Sequence, residues 1–338
     1  MVKEIFDPFK VSKGSKEFGY VNVIDTPAAK FDMPVGVING SLDGPTLTVT
    51  GGLYPTEYYG PEAASRLYQL IKPEELSGRL ITIPIVNMST FQFRTPMFKL
   101  VQSSTSPIDG GNINNSFPGT PEGRPTKVLA HKLFDIISKS DYHIDFRGGD
   151  FNESHLVHTI FLRIGKKVDE TAEMMAKAIG YEYVLPGTPE IGHTSKGTLI
   201  YEAMNKGVAS IITESGLGYR EQPLEEFINL HVQGTMNLLK YFDMIEGKIV
   251  KPKNQKFLDM EWQRARAPVS GIFQAIADQG DICKTGDVLG LIKDIDGSEI
   301  SKVLSPVDGV VHCMYPRRVV HVGDGLYTLL KLDELTGW

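Results

Sequence analysis

The chain has 338 residues, 41% of them hydrophobic and 22% charged, with a net charge of −6. It is longer than one hydrophobic core usually fills, and its balance is that of a soluble globular protein. The acidic excess excludes a nucleic-acid surface, which needs clustered basic residues, and no stretch approaches the roughly 20 apolar residues that span a bilayer.

Met1–Asp7 has no apolar secretory region, so a cytoplasmic location is expected. Cys283 and Cys313 are the only cysteines and lack CxxC spacing, in keeping with a reducing compartment. The first segment alternates apolar and polar residues over Tyr20–Ile24, Pro34–Ile38 and Thr46–Thr50, separated by Asn39-Gly40 and Asp43-Gly44-Pro45. These runs read as strands of one sheet. A helix is expected over Pro61–Ile71, with Ala63, Ala64, Leu67, Leu70 and Ile71 on one face. Leu80–Val86 is a buried-strand candidate, and the turn-rich stretch Asn87–Pro125 is long enough to suggest that it serves a site. Helices over 126–140, 168–179, 195–207 and 223–244, with strands over 142–146 and 208–213, complete an α/β sheet flanked by helices.

In such sheets ligands collect at the carboxyl ends of strands. Tyr54 and Glu57 fall just past strand 46–50, Arg147 past 142–146 and Glu214 past 208–213, so these four are expected to converge. Beyond Lys251-Pro252-Lys253 the texture changes. Ala267-Pro268-Val269-Ser270-Gly271 returns as Ser305-Pro306-Val307-Asp308-Gly309, and Lys284–Leu289 returns as His321–Leu326. Two half-repeats of this kind imply a pseudo-symmetric all-β module. It resembles the biotinyl/lipoyl-type barrel-sandwich, although Lys293 lacks a carrier lysine's flanking residues, which favours a cap or an assembly surface.

Four segments carry a wider resemblance. Gly52, Glu57 and Gly60 fit a G-x-H-G-x-E segment. Asp109–Gly119 fits D-G-x-N-L-N-R-x-F-P-G, Asp145-Phe146-Arg147 fits a strand ending in D-x-H, and Glu214 with Gly216 fits E-x-G. Lys196–Leu199 and Gly207–Ala209 fit the approach to that glutamate. Over nearly its whole length the chain resembles the succinylglutamate desuccinylase/aspartoacylase family of the zinc-carboxypeptidase superfamily. The resemblance implies a carboxypeptidase-like mixed sheet flanked by helices over 1–255, followed by a C-terminal all-β barrel-sandwich module over 260–338. It further implies a zinc ion held by two histidines and a glutamate.

Both histidine positions differ here, one being Tyr54 and the other Arg147, so only Glu57 remains, and the family's Asn-Arg pair is Asn114-Asn115. Neutral tyrosine is a poor ligand and arginine cannot ligate at all. A cation about 4 Å from a divalent ion costs roughly 8 kcal/mol at an effective dielectric near 20. That opposes much of the roughly 10–16 kcal/mol of a good zinc site. No metal or other cofactor is therefore expected.

The expected chemistry gives Glu214 to general-base work and Arg147 with Tyr54 to carbonyl polarisation. Arg94, Asn114, Asn115 and Glu57 would contact a small carboxylated substrate such as an N-acyl amino acid, an amide or an activated ester. Arg94 reads either as a carboxylate clamp or as solvated surface. Two alternatives stand beside this: a non-catalytic small-anion binder, and a hydrolase with a rearranged metal site drawing on Glu57, Asp145 and a histidine. His155 and His158 read as opposite faces of one strand, so joint metal binding by them is not expected. His143 reads as a packed core residue, and His193 and Lys196 as rim or exposed. A homo-oligomer is a further expectation, with no membrane and no nucleic-acid partner.

Overall fold

The computed structural model describes residues 6–25, 27, 29–54, 56–92, 106, 108–150, 153–190, 192–218, 222–252 and 254–332. The first part runs β1 (Ser15–Asp25), β2 (Lys30–Asn39), β3 (Leu42–Thr50), α1 (Tyr59–Leu70), β4 (Ser77–Ile83), α2 (Met88–Phe91) and α3 (Pro125–Ile137). It continues with β5 (Tyr142–Arg147), β6 (Ser154–Leu162), α4 (Val168–Ala178), β7 (Tyr183–Gly187), α5 (Leu199–Lys206), β8 (Ala209–Leu217) and α6 (Glu225–Tyr241). Among the described residues, no helix is long and apolar enough to cross a membrane.

One mixed sheet organises the molecule in the order β1-β2-β4-β3-β5-β8-β6, with β4, β3, β5 and β8 mutually parallel. Parallel strands buried on both faces must be apolar on both, and β8 is buried along its whole length. One core packs Ala63, Leu67, Met175, Val232 and Leu238 of α1, α4 and α6. A second packs Leu129, Leu133 and Ile137 of α3 with Leu199 and Ala203 of α5. The face expected for α1 holds except at Leu70, which is 57% exposed; Tyr59 buries in its stead from the opposite end of the helix.

The remaining strands are β9 (Lys256–Phe257), β10 (Trp262–Arg266), β11 (Gly271–Ala275), β12 (Ile282–Cys283), β13 (Val288–Lys293), β14 (Glu299–Leu304), β15 (Gly309–Met314), β16 (Val319–Val320) and β17 (Gly325–Lys331). They meet the expected barrel-sandwich only in part. β14-β13-β11-β16 form a separate antiparallel sheet over their own apolar core, which includes Phe273, Leu289 and Tyr327. β15, β17 and β10 instead extend the main sheet, because β15 pairs with β6 through Cys313↔His155 and Met314↔Ser154. Lys293 closes β13 opposite Glu299.

Glu214 lies inside β8, three residues before its end, rather than beyond the strand. The last part of β8 depends on Gly216, whose φ of 140° suits glycine alone and whose added Cβ would lie 2.2 Å from the Tyr59 ring. Gly216→Ala is therefore expected to cost on the order of 2–4 kcal/mol from backbone strain plus overpacking. Urea unfolding of the two proteins measures it, and a loss below ~0.5 kcal/mol would show that Tyr59 yields freely.

Candidate active site

Sheet register assembles the site. Thr50 of β3 stands opposite Asp145 of β5, and Arg147 of β5 stands opposite Glu214 of β8. Asp145 and Arg147 are two residues apart on one strand and share a face. The Arg147 Nε–H donates to Asp145 Oδ2 at 2.6 Å, with the two side chains 3% and 1% exposed. Thr50 Oγ1 donates to the other carboxylate oxygen at 2.9 Å, and His143 bridges Thr50 and Ser210 behind it. Burial pushes His143 down to about 4, so its ring is neutral. The expected core role for His143 is thus a hydrogen-bonding one.

Above the carboxylate, the Arg147 guanidinium lies 4.3 Å from the Tyr54 ring centroid and donates from Nη2 to Asn114 Oδ1 at 3.4 Å. Asn114 also hydrogen-bonds the Tyr54 hydroxyl. Asn114 is held by the Asp109–Gly119 segment. Asp109 accepts from Gly111 N and from both Thr126 N and Thr126 Oγ1, which pins the loop to the first turn of α3. The Asn112 side chain then caps the turn that buries Asn114. Asn115 is exposed while its neighbour Asn114 is buried, because one tight turn cannot bury both. Arg94 lies outside the described residues.

Electrostatics divides the carboxylates. Asp145 has its cation and a hydroxyl donor. Glu57, 6% exposed, has an Oε2 without a hydrogen-bond partner among the described residues. Burial drives Glu57 well above the carboxylate range, Arg147 opposing and Glu214, Asp150 and Asp145 adding to the rise. Glu214, 7% exposed with Oε2 likewise unpartnered, is pushed up to about 7, chiefly by burial, against His155 and Arg147. Burial also carries Tyr54 up to about 12, so its hydroxyl keeps its proton. Burial works against the Arg147 charge, but Asp145, then Tyr54, Glu57 and Glu214, raise it overall. At neutral pH the site thus holds a compensated ion pair, a protonated phenol, a Glu57 whose burial favours its neutral form and a Glu214 poised between its forms.

The zinc position implied by the resemblance was tested against this donor set, and the set does not fit. Of Tyr54, Glu57 and Arg147, one is a protonated phenol and one a guanidinium held on its own carboxylate. A rearranged site drawing on Asp145 would have to share oxygens that already accept from Arg147 and Thr50. Sequence reasoning further missed that the row of polar residues continues. His158 of β6 stands opposite Glu214, and its ring packs 4.9 Å from that of His312 on β15. The register shift between His155 and His158 lets both rings reach His312, which strict strand alternation forbids. Only the pairing of β6 with β15 reveals this, and no local pattern announces it.

Comparison with known proteins gives a consistent picture. Residues 43–240 match the family model described as the succinylglutamate desuccinylase/aspartoacylase catalytic domain. The chain is 27% identical over 319 residues to the N-alpha-acetyl-L-2,4-diaminobutyric acid deacetylase of Halomonas elongata, covering 90% of this chain and 87% of that protein. The product-bound ectoine utilization protein EutE (DoeB) of Ruegeria pomeroyi shares the fold with a TM-score of 0.81 at 21% identity, over 96% of this chain and 98% of that one. A succinylglutamate desuccinylase/aspartoacylase from Rhodobacter sphaeroides gives 0.79 at 24% identity, with the same coverage.

Two stability measurements test the electrostatic reading. Arg147→Met strands the Asp145 charge and is expected to cost ~3–5 kcal/mol, whereas adding Asp145→Asn recovers at least ~1 kcal/mol. Equal loss in the single and double variants would contradict a buried pair. Glu214 has its folded pKa, about 7, above the ordinary 4.5, so the unfolded chain releases its proton first and stability falls as pH rises between those values. Glu214→Gln is therefore expected to stabilise at pH 8 by up to ~3 kcal/mol, a gain that fades below about pH 5. A gain independent of pH, or a loss at pH 8, would refute the shift.

Proposed function

The chain belongs to the succinylglutamate desuccinylase/aspartoacylase family, and from that premise we propose that it hydrolyses the acyl bond of a small carboxylated amino-acid derivative without zinc between Tyr54, Glu57 and Arg147. The deacetylase name of the Halomonas relative supports the substrate class. The observation that carries the reading is Glu214: buried, poised near neutrality, with an unpartnered oxygen, in register with the guanidinium.

In this scheme Glu214 takes a proton from water as the oxygen attacks the acyl carbon. Negative charge then develops on the carbonyl oxygen, beside the Arg147 guanidinium and the Tyr54 hydroxyl. Tyr54 is suited to donate because Asn114 already occupies its oxygen as a partner. The leaving group needs a proton as its bond to carbon breaks, and Glu57, whose burial favours its acid form, is the proposed donor. Glu214, protonated in the first step, then returns Glu57 to its acid form by way of solvent. Without a metal to bring the water's pKa to about 7, an unactivated amide reacts slowly and an activated ester or similar acyl group is favoured. Arg94 is the proposed clamp for the substrate carboxylate.

One observation favours a second reading, a non-catalytic binder of small anions. The Arg147 charge is already matched by Asp145, which weakens its pull on a developing oxyanion. Turnover separates the two. Release of free amine is measured with N-acetyl and N-succinyl amino acids, and release of free thiol with the corresponding thioesters. Glu214→Gln is expected to lower kcat by at least ~100-fold, and Tyr54→Phe by a comparable or smaller factor. Binding seen by calorimetry with no turnover of any of these acyl donors would leave the binder, and turnover indifferent to Glu214→Gln would remove Glu214 from the role of base.

A further inference from the structure

Four of the chain's eight histidines, His155, His158, His193 and His312, gather with Trp262 where the C-terminal strands join the main sheet. None of them belongs to the residues assigned to acyl chemistry. Within this group the structure assigns a second site: we propose that Glu153, His155 and Cys313 bind a zinc-class divalent cation at the junction of β6 and β15.

Geometry is the first support. The ligand atoms of the three residues lie within 4.8 Å of one another. Bonds of about 2.0–2.3 Å in a tetrahedral zinc site put ligand atoms roughly 3.3–3.8 Å apart, so closing on a cation takes about 1 Å of side-chain rotation. Backbone pairing has already done the rest. Cys313 and His155 are direct partners across β15 and β6, and Glu153 precedes His155 by two residues on the same face. The His155 Nε2 and Glu153 Oε2 atoms are 3.1 Å apart.

A second, independent observation is His312. It is 5% exposed, neither ring nitrogen has a hydrogen-bond partner among the described residues, and its ring meets His155 edge-on at 5.5 Å. A register shift between Val311 and Cys313 lifts His312 out of the alternation, so that consecutive residues of β15 both serve this place. The Nδ1 of His155 is unpartnered as well. Buried imidazole nitrogens rarely stay unsatisfied, and a cation is the partner that a thiolate, a carboxylate and neutral imidazole together select. That donor set suits zinc or cobalt and disfavours magnesium and calcium, which require oxygen donors. The Cys313 thiol donates to Met314 O at 3.8 Å, so binding releases that proton to solvent, and the thiolate formed together with one carboxylate matches the dication's charge.

The test reads metal directly and so stands apart from any assay of turnover. The full chain, prepared without chelator and loaded with equimolar zinc, is expected to retain near one equivalent through gel filtration. Cobalt in its place is expected to show the near-ultraviolet charge-transfer absorption of a thiolate bond. Cys313→Ser should remove that absorption and weaken retention at least tenfold, and His155→Ala should weaken retention likewise. Cys283→Ser and Glu57→Gln should leave both intact. Thermal melting checks that each variant is folded, and the cobalt absorption of the unaltered chain keeps the proposal testable if Cys313→Ser does not fold. Retention below a tenth of an equivalent, a cobalt complex without thiolate absorption, or loss of metal in Glu57→Gln but not in Cys313→Ser would each overturn it.

Discussion

The pairing of Arg147 with Asp145 is the constraint from which the rest of the site follows. Two charges nine-tenths or more removed from water survive only if each is matched and hydrogen-bonded. The protein supplies this from three neighbouring strands: Thr50 on β3, Asp145 and Arg147 on β5, Glu214 on β8. The parallel register leaves no freedom in who meets whom. Once Arg147 is held on Asp145, its flat face is turned to Tyr54 and one edge to Asn114. A cation fixed by the fold thus stands at the centre of the site, with its charge set by covalent chemistry.

That pairing decides how protons are distributed. The single guanidinium is committed to Asp145 and so compensates one carboxylate only. Glu57 and Glu214 are consequently left to the penalty of burial, which both pay in raised pKa values. Two glutamates in one pocket, both raised and each in its own surroundings, form the kind of pair that can separate an acid role from a base role. The chemistry proposed for the site therefore follows from there being one guanidinium among three carboxylates.

Much of this was legible in the chain itself because it rests on short-range signals. Alternation in Thr46–Thr50 and the apolar run of Leu80–Val86 mark strands, and the spacing of Ala63, Ala64 and Leu67 marks a helix. Tyr54, Glu57, Arg147 and Glu214 could be placed together because ligands in such sheets gather at strand ends, and the structure brings those four together. Leu70 was misjudged because an apolar neighbour one step along need not share a face once a helix ends. What no local pattern carries is the pairing of β15 with β6. Those segments lie far apart in the chain, and register between distant strands is decided by the packing of whole sheets.

That pairing changes how the C-terminal strands are understood. A self-contained β module would hide its own edges and dock through side chains alone. Here β15 lends its backbone to the main sheet while β14-β13-β11-β16 close a separate layer over it. β7 pairs with β6 over His158–Leu162, and β15 covers the edge left at Ser154 and His155, which removes a liability to aggregation. Its second effect is on composition near Glu214. Because β6 lies between β8 and β15, residues contributed by the C-terminal strands stand only two strands from the proposed base. His312 and Cys313 therefore reach the surroundings of the site without belonging to the part of the chain that builds it, and a change in either would be felt there through the sheet rather than through a loop.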